Sequence, residues 1–86
     1  KKHQTKLKPG IMGQPPHQDP EEEMNIVKEG TVEVLVNGEL KIIGPGSVVF
    51  SATNQMHSIK NVGTINATYF AIKWRSTKAD SVVKKN

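Results

Sequence analysis

The stretch Thr31–Ile43, TVEVLVNGELKII, constrains this chain most. Val32, Val34 and Val36 alternate with Thr31, Glu33 and Leu35. A period of two places the valines on one face and predicts a half-buried strand. Asn37-Gly38 follows, and ELKII resumes the apolar pattern. Asparagine and glycine both accept positive φ, so this dipeptide between two alternating runs predicts a two-residue hairpin.

The rest of the chain is punctuated in the same way. Residues 1–8, KKHQTKLK, alternate loosely and suit an edge strand or a frayed arm. Residues 9–20 hold four of the five prolines and two glycines, which predicts a loop. EEEMNIVKEG reads as a strand ending at Gly30, and Gly44-Pro45-Gly46 as a sharp turn. SVVF, HSIKNV and ATYFAIKW read as further strands, with SATNQM as a loop and GTIN as a turn between them. RSTKADSVVKKN reads as a polar tail, or at most a short helix. No segment carries a useful helical period and no repeat is present. Six or seven short strands at this spacing predict a sandwich or barrel. At 86 residues the chain fits one domain, and a core this small makes help from a second copy or a bound ion plausible.

The formal charge of +4 is unevenly spread. Nine of the twelve basic residues lie at the two ends. Between Pro9 and Ile72 only Lys28, Lys41 and Lys60 face seven acids, a net −4. An acidic body with basic ends, and no aromatics interleaved with them, argues against nucleic acid as a partner. No apolar run is long enough to span a membrane. The absence of cysteine excludes disulfides and thiolate metal sites and favours the cytoplasm. Because the chain starts at Lys1, export after removal of a leader stays open.

Chemistry concentrates in two stretches. His17 and Asp19 are two apart and Glu23 a further four, even steps that share one face of an extended chain. His57 opens a later strand. A barrel that brings these strands together gathers two imidazoles and two carboxylates, a donor set suited to a divalent Mn, Fe, Co, Ni or Zn. The bland alternatives are an exposed loop histidine at 17, a hydrogen-bonded barrel histidine at 57, a turn residue before Pro20 at Asp19, and a solvated acidic loop. Glu21 or Glu22 could replace Glu23 after a one-residue slip. Asn61 reads as a structural strand-end residue, Tyr69 and Trp74 as barrel wall or dimer interface, and Met24 and Met56 as core filling.

These residues also carry a family resemblance. His17-Gln-Asp19-Pro-Glu-Glu-Glu23, six residues and Gly30 resemble the first cupin motif, HxHx(3–4)Ex(6)G. Gly46, five residues, Ala52-Thr-Asn54, two residues, His57, three residues and Asn61 resemble the second, Gx(5)PxGx(2)Hx(3)N. PPHQDPEEE, IGPGSVVF and HSIKNVG are similar to the small single-domain bacterial cupins. The resemblance implies an all-β jelly-roll barrel over about residues 5–74, followed by a polar tail at 75–86. It implies metal-ligand roles for His17, Glu23 and His57. Asp19 stands where the family usually has a second histidine, and an anionic oxygen there shifts preference toward Mn or Fe. Ala52 and Asn54 replace the motif's proline and glycine, and asparagine tolerates the left-handed backbone such a turn needs.

Two functions follow as expectations. One is a metal-dependent cupin enzyme of oxygenase, isomerase or lyase type acting on a small organic molecule. The other is a non-catalytic module binding a sugar or organic acid, its metal structural or absent. A nucleic-acid-binding barrel is a weaker third. The resemblance and the small size also imply a homodimer, with the arm at residues 1–8 a candidate for strand exchange.

Overall fold

The computed structural model describes residues 2–18 and 20–75. Eight strands run β1 Lys2–Leu7, β2 Met12–His17, β3 Glu22–Glu29, β4 Val32–Val36, β5 Glu39–Ile43, β6 Val48–Ser51, β7 His57–Asn61 and β8 Ala67–Trp74. They form two four-stranded sheets, β1-β8-β3-β6 and β2-β7-β4-β5, every pair antiparallel. The chain keeps crossing from one sheet to the other, and only β4 and β5 pair with a sequence neighbour. That is the jelly-roll arrangement. The described residues contain no helix, hence none long and apolar enough to cross a membrane.

The Asn37-Gly38 hairpin forms as expected, with φ of 55° and 78°. It sets Val36 opposite Glu39 and Val32 opposite Ile43. Asn54, standing in for the motif's glycine, has φ 59°. The N–H of Gln55 donates to the Ala52 carbonyl at 3.0 Å, so the turn survives the substitution.

Two expectations change. The proline-rich stretch is not all loop, because Met12–His17 form β2 with Pro15 and Pro16 inside it. Proline has no N–H to give a ladder and is tolerated on an edge or at a bulge. β2 is an edge strand, and its register to β7 shifts between Met12 and Gln14 and again between Gln14 and His17. Among the described residues the strands therefore number eight. The loosely alternating N-terminus is β1, paired with β8 of its own chain from Lys2↔Ile72 to Leu7↔Ala67. The polar tail or short helix expected over residues 75–86 lies, from residue 76 on, outside the described residues.

The interior is graded from polar to apolar. Along β3 the buried positions are Glu23, Asn25 and Val27, and along β7 they include His57, Ile59 and Asn61. Val27 pairs with Tyr69 and Ile59 with Val34, so the apolar core sits in the middle of the barrel. Burial pushes the Tyr69 phenol above its ordinary pKa, helped by the Glu23 charge and opposed by a hydrogen bond with Thr5.

The far end is closed by Asn61, which is fully buried. Its amide nitrogen donates to the carbonyls of Leu7 at 2.9 Å and Ile65 at 2.8 Å. Its side-chain oxygen accepts from the Gly63 N–H at 2.9 Å. The structural role expected for Asn61 is thus a pin joining β7, the end of β1 and the loop into β8. Gly30, with φ 87°, turns the chain out of β3 toward β4 in the other sheet. A Cβ there would lie 2.7 Å from both the Ala67 Cα and the Asn66 carbonyl oxygen.

Candidate metal and ligand site

β2 and β7 place His17 directly opposite His57. The ring centroids are 4.2 Å apart and tilted by 58°. Each ring is held from behind by a carbonyl two residues earlier. His17 Nδ1 lies 2.7 Å from the Pro15 oxygen, and His57 Nδ1 2.8 Å from the Gln55 oxygen. A carbonyl only accepts, so Nδ1 is the donor in both rings and Nε2 is the nitrogen left for the interior. The Gln55 carbonyl is itself fixed, because the Gln55 side chain accepts from the Ala52 N–H and donates to Asn37 in the hairpin turn.

Glu23 enters from the opposite sheet and is fully buried. Its Oε1 lies 3.1 Å from His57 Nε2, and its Oε2 accepts from Gln14 Nε2 at 2.9 Å. The one-residue slip to Glu22 is excluded as an inward donor, since Glu22 faces out and accepts from the Trp74 indole at 2.7 Å. With Nδ1 committed to its carbonyl, a neutral His57 turns a lone pair toward a carboxylate oxygen. Two acceptors at that separation repel unless something positive joins them, a proton on the ring or a cation. Imidazole nitrogen and carboxylate oxygen are donors of the kind a divalent first-row ion accepts. A carbonyl behind each Nδ1 is also the arrangement that fixes metal-binding histidines.

Of the four expected ligands, the structure joins His17 to His57 and His57 to Glu23. Asp19 lies outside the described residues. Among the described residues, no three histidine, aspartate or glutamate side chains form a group that could hold a metal ion.

Sequence reasoning missed three further polar residues. Asn25 Oδ1, Ser51 Oγ and Gln14 Oε1 are buried with no hydrogen-bond partner among the described residues. Ser51 is the cross-strand partner of Glu23, and Asn25 is two residues beyond it on the same face. The even-step rule that linked His17 to Asp19 would have found Asn25. Gln14 was hidden in the presumed loop, and nothing in the motifs marks Ser51. An unpaired buried hydroxyl costs stability. Replacing Ser51 by alanine is expected to stabilise the fold by about 1 kcal/mol in urea unfolding. A loss of stability instead would mean that the hydroxyl is hydrogen-bonded in solution.

Beside this polar end, a cavity of about 460 Å³ lies between the β4–β5 hairpin and β6. Val34, Val36, Ile43 and Val49 give it apolar walls, with Lys41 and Phe50 among its lining. Val49 pairs with Asn25, so the apolar wall begins one step from the polar cluster.

Residues 3–73 match the Cupin_2 family, the cupin domain. The chain belongs to the cupin family. No curated protein matches its sequence. Among solved structures, this cupin is similar to a predicted oxalate decarboxylase from Thermotoga maritima, at 27% identity and a TM-score of 0.79, over 84% of this chain and 63% of that one. It is also similar to a sugar phosphate isomerase of the cupin superfamily from Silicibacter pomeroyi, at 19% identity and a TM-score of 0.78, over 86% of this chain and 49% of that one. A de novo designed double-stranded β-helix aligns over 86% of this cupin and 99% of its own length, at 12% identity and a TM-score of 0.70. The cupin thus spans about half to two-thirds of the two natural relatives.

Proposed function

We propose that this cupin binds a small organic molecule beside a divalent first-row metal ion held by His17, Glu23 and His57, with Asp19 as a further ligand. The observation that carries this reading is the contact of His57 Nε2 with Glu23 Oε1 at 3.1 Å in a fully buried setting, with both imidazoles oriented from behind. When bound, the ion supplies Lewis acidity at an oxygen of the ligand. The chain's own residues do the rest. Gln14 orients the Glu23 carboxylate. Asn25 and Ser51 offer buried polar atoms to the ligand's polar groups, and the apolar walls beyond exclude water from its remainder. The likeness to a predicted oxalate decarboxylase and to a sugar phosphate isomerase supports an organic acid or a sugar as the ligand.

A metal-free binding module is the second reading. It is favoured by the lack of a three-member ligand group among the described residues, since His57 and Glu23 already stand at ion-pair distance.

Metal analysis of untagged protein, followed by titration with Mn²⁺, Fe²⁺ and Zn²⁺, separates the two. Gln14→Ala is expected to weaken metal affinity by roughly 10-fold or more, as for other groups that orient a ligand. His57→Ala and Glu23→Gln are expected to weaken it further. Asp19→Ala with unchanged affinity would remove Asp19 from the ligand set. Failure of the unsubstituted protein to bind any of the three ions would leave the metal-free module.

A further inference from the structure

The amphipathic pattern of β5 is inverted. Cross-strand partners in an antiparallel pair share a face. Lys41 pairs with the buried Val34 and Glu39 with Val36, so both charged residues lie on the inward face. The outward residues are Leu40 and Ile42, 64% and 67% exposed. A one-residue slip would bury those two and turn the charges out, but the Asn37-Gly38 turn fixes the register.

Inward charge on an edge strand serves to block pairing with other chains. That accounts for a charge on this face, and not for its place in a cavity. Lys41 lines the 460 Å³ cavity among Val34, Ile43 and Val49, and it is the one charged side chain among the described lining residues. Its only close acid, Glu39, is 3.8 Å away, and the two side chains are 59% and 70% exposed. A pair so open to water is weak and yields readily to a better partner.

Lys41 is also within reach of the polar end. Val34 pairs with Ile59, which is two residues from His57. Strand spacings put the Cα atoms of Lys41 and His57 roughly 12 Å apart. Apolar walls fill the space between, from Val34 and Val36 on one side to Val49 on the other. At the polar end Glu23 carries negative charge, with Lys73 its cross-strand partner on β8. An anionic group on a ligand is therefore favoured at the Lys41 end, away from Glu23.

We infer that Lys41 is a specificity residue that reads a carboxylate or phosphate on the bound molecule. The inference rests on the small-molecule reading proposed above. Neither of the two sequence motifs contains Lys41.

Titration calorimetry with paired probes tests it. Succinate is set against succinamide and glucose 6-phosphate against glucose, with Mn²⁺ present and absent. The two pairs distinguish a carboxylate from a phosphate. At least one anion is expected to bind at least 10-fold more tightly than its neutral counterpart, the gain from one hydrogen bond to a charged group. Lys41→Gln is expected to erase that preference, Lys41→Arg to keep it and Glu39→Gln to strengthen it. Added salt should weaken it. Urea midpoints check that each variant is folded, and metal affinity should be the same in Lys41→Gln as in the unsubstituted protein. Equal affinity for anion and neutral probe overturns the inference. So does a preference that survives Lys41→Gln, or one that is lost in Lys73→Gln instead. In those cases the ligand site stands and only the role of Lys41 falls. If no probe binds at millimolar concentration, the inference falls together with the reading beneath it.

Discussion

Replacing Asn61 by alanine is expected to destabilise the fold by about 3–5 kcal/mol, read as a loss of the urea midpoint and of folded signal in buffer. The substitution removes three hydrogen bonds at once, a buried one to the Leu7 carbonyl and part-buried ones to the Ile65 carbonyl and from the Gly63 N–H. An unsatisfied buried group costs about 1–3 kcal/mol, the two part-buried groups cost less because water reaches them, and the volume of the fully buried side chain is lost as well. A domain of this size has a total stability of roughly 4–13 kcal/mol, so much of the margin disappears. Asn61→Asp separates hydrogen bonding from packing. The carboxylate fills the same space and still accepts from Gly63, but it turns negative oxygens toward two carbonyls. It is expected to be at least as damaging at neutral pH. Near-native stability of Asn61→Ala would show that water replaces the amide, and that the three contacts contribute little.

Gly30→Ala is expected to be of similar size, and Gly38→Ala to be mild. Both glycines have positive φ, 87° and 78°, so both alanines carry the left-handed penalty of about 1–2 kcal/mol. At Gly38 nothing lies within 4 Å of the added carbon. At Gly30 it would meet the Ala67 Cα and the Asn66 carbonyl oxygen at 2.7 Å. Both are backbone atoms at the start of β8 and cannot rotate away. The crossing between sheets would have to widen, moving the β3–β8 pairing that holds Glu23 and Asn25 in place. The expected cost is about 3–5 kcal/mol for Gly30→Ala, with overpacking added to the backbone term. Parallel urea titrations of the two variants decide the point. Equal effects would mean that φ alone matters and that the close approach to β8 is relieved at little cost.

The destabilising effect expected at Asn61 and the stabilising one expected at Ser51 mark two kinds of buried polar group in one barrel. Asn61 has its polar atoms matched and closes the far end. Ser51, Asn25 and Gln14 have unmatched oxygens and surround Glu23 at the other end. The polar end thus gives up stability at the site proposed above for the ligand.

Much of this was legible along the chain. The valine alternation and Asn37-Gly38 predict the β4–β5 hairpin because both signals act between near neighbours. The spacing of His17, Glu23, Gly30, His57 and Asn61 carried the family resemblance, and Asn54 adopts the left-handed turn expected of it. The prolines of β2 misled because their meaning depends on position in a sheet. Pro15 and Pro16 break a central strand but are harmless on an irregular edge. Local sequence does not say which strand becomes an edge.

Strand pattern and sharp turns could be read along the chain because periodicity and turn chemistry are properties of adjacent residues, and the spaced motif residues carried the family. The tertiary structure alone decided that Gln14, Asn25 and Ser51 gather around Glu23, that Asn61 reaches Leu7 across 54 positions, and that Lys41 lines the cavity. Those outcomes depend on which strands pair across the two sheets, and burial and hydrogen-bond partners follow from that pairing.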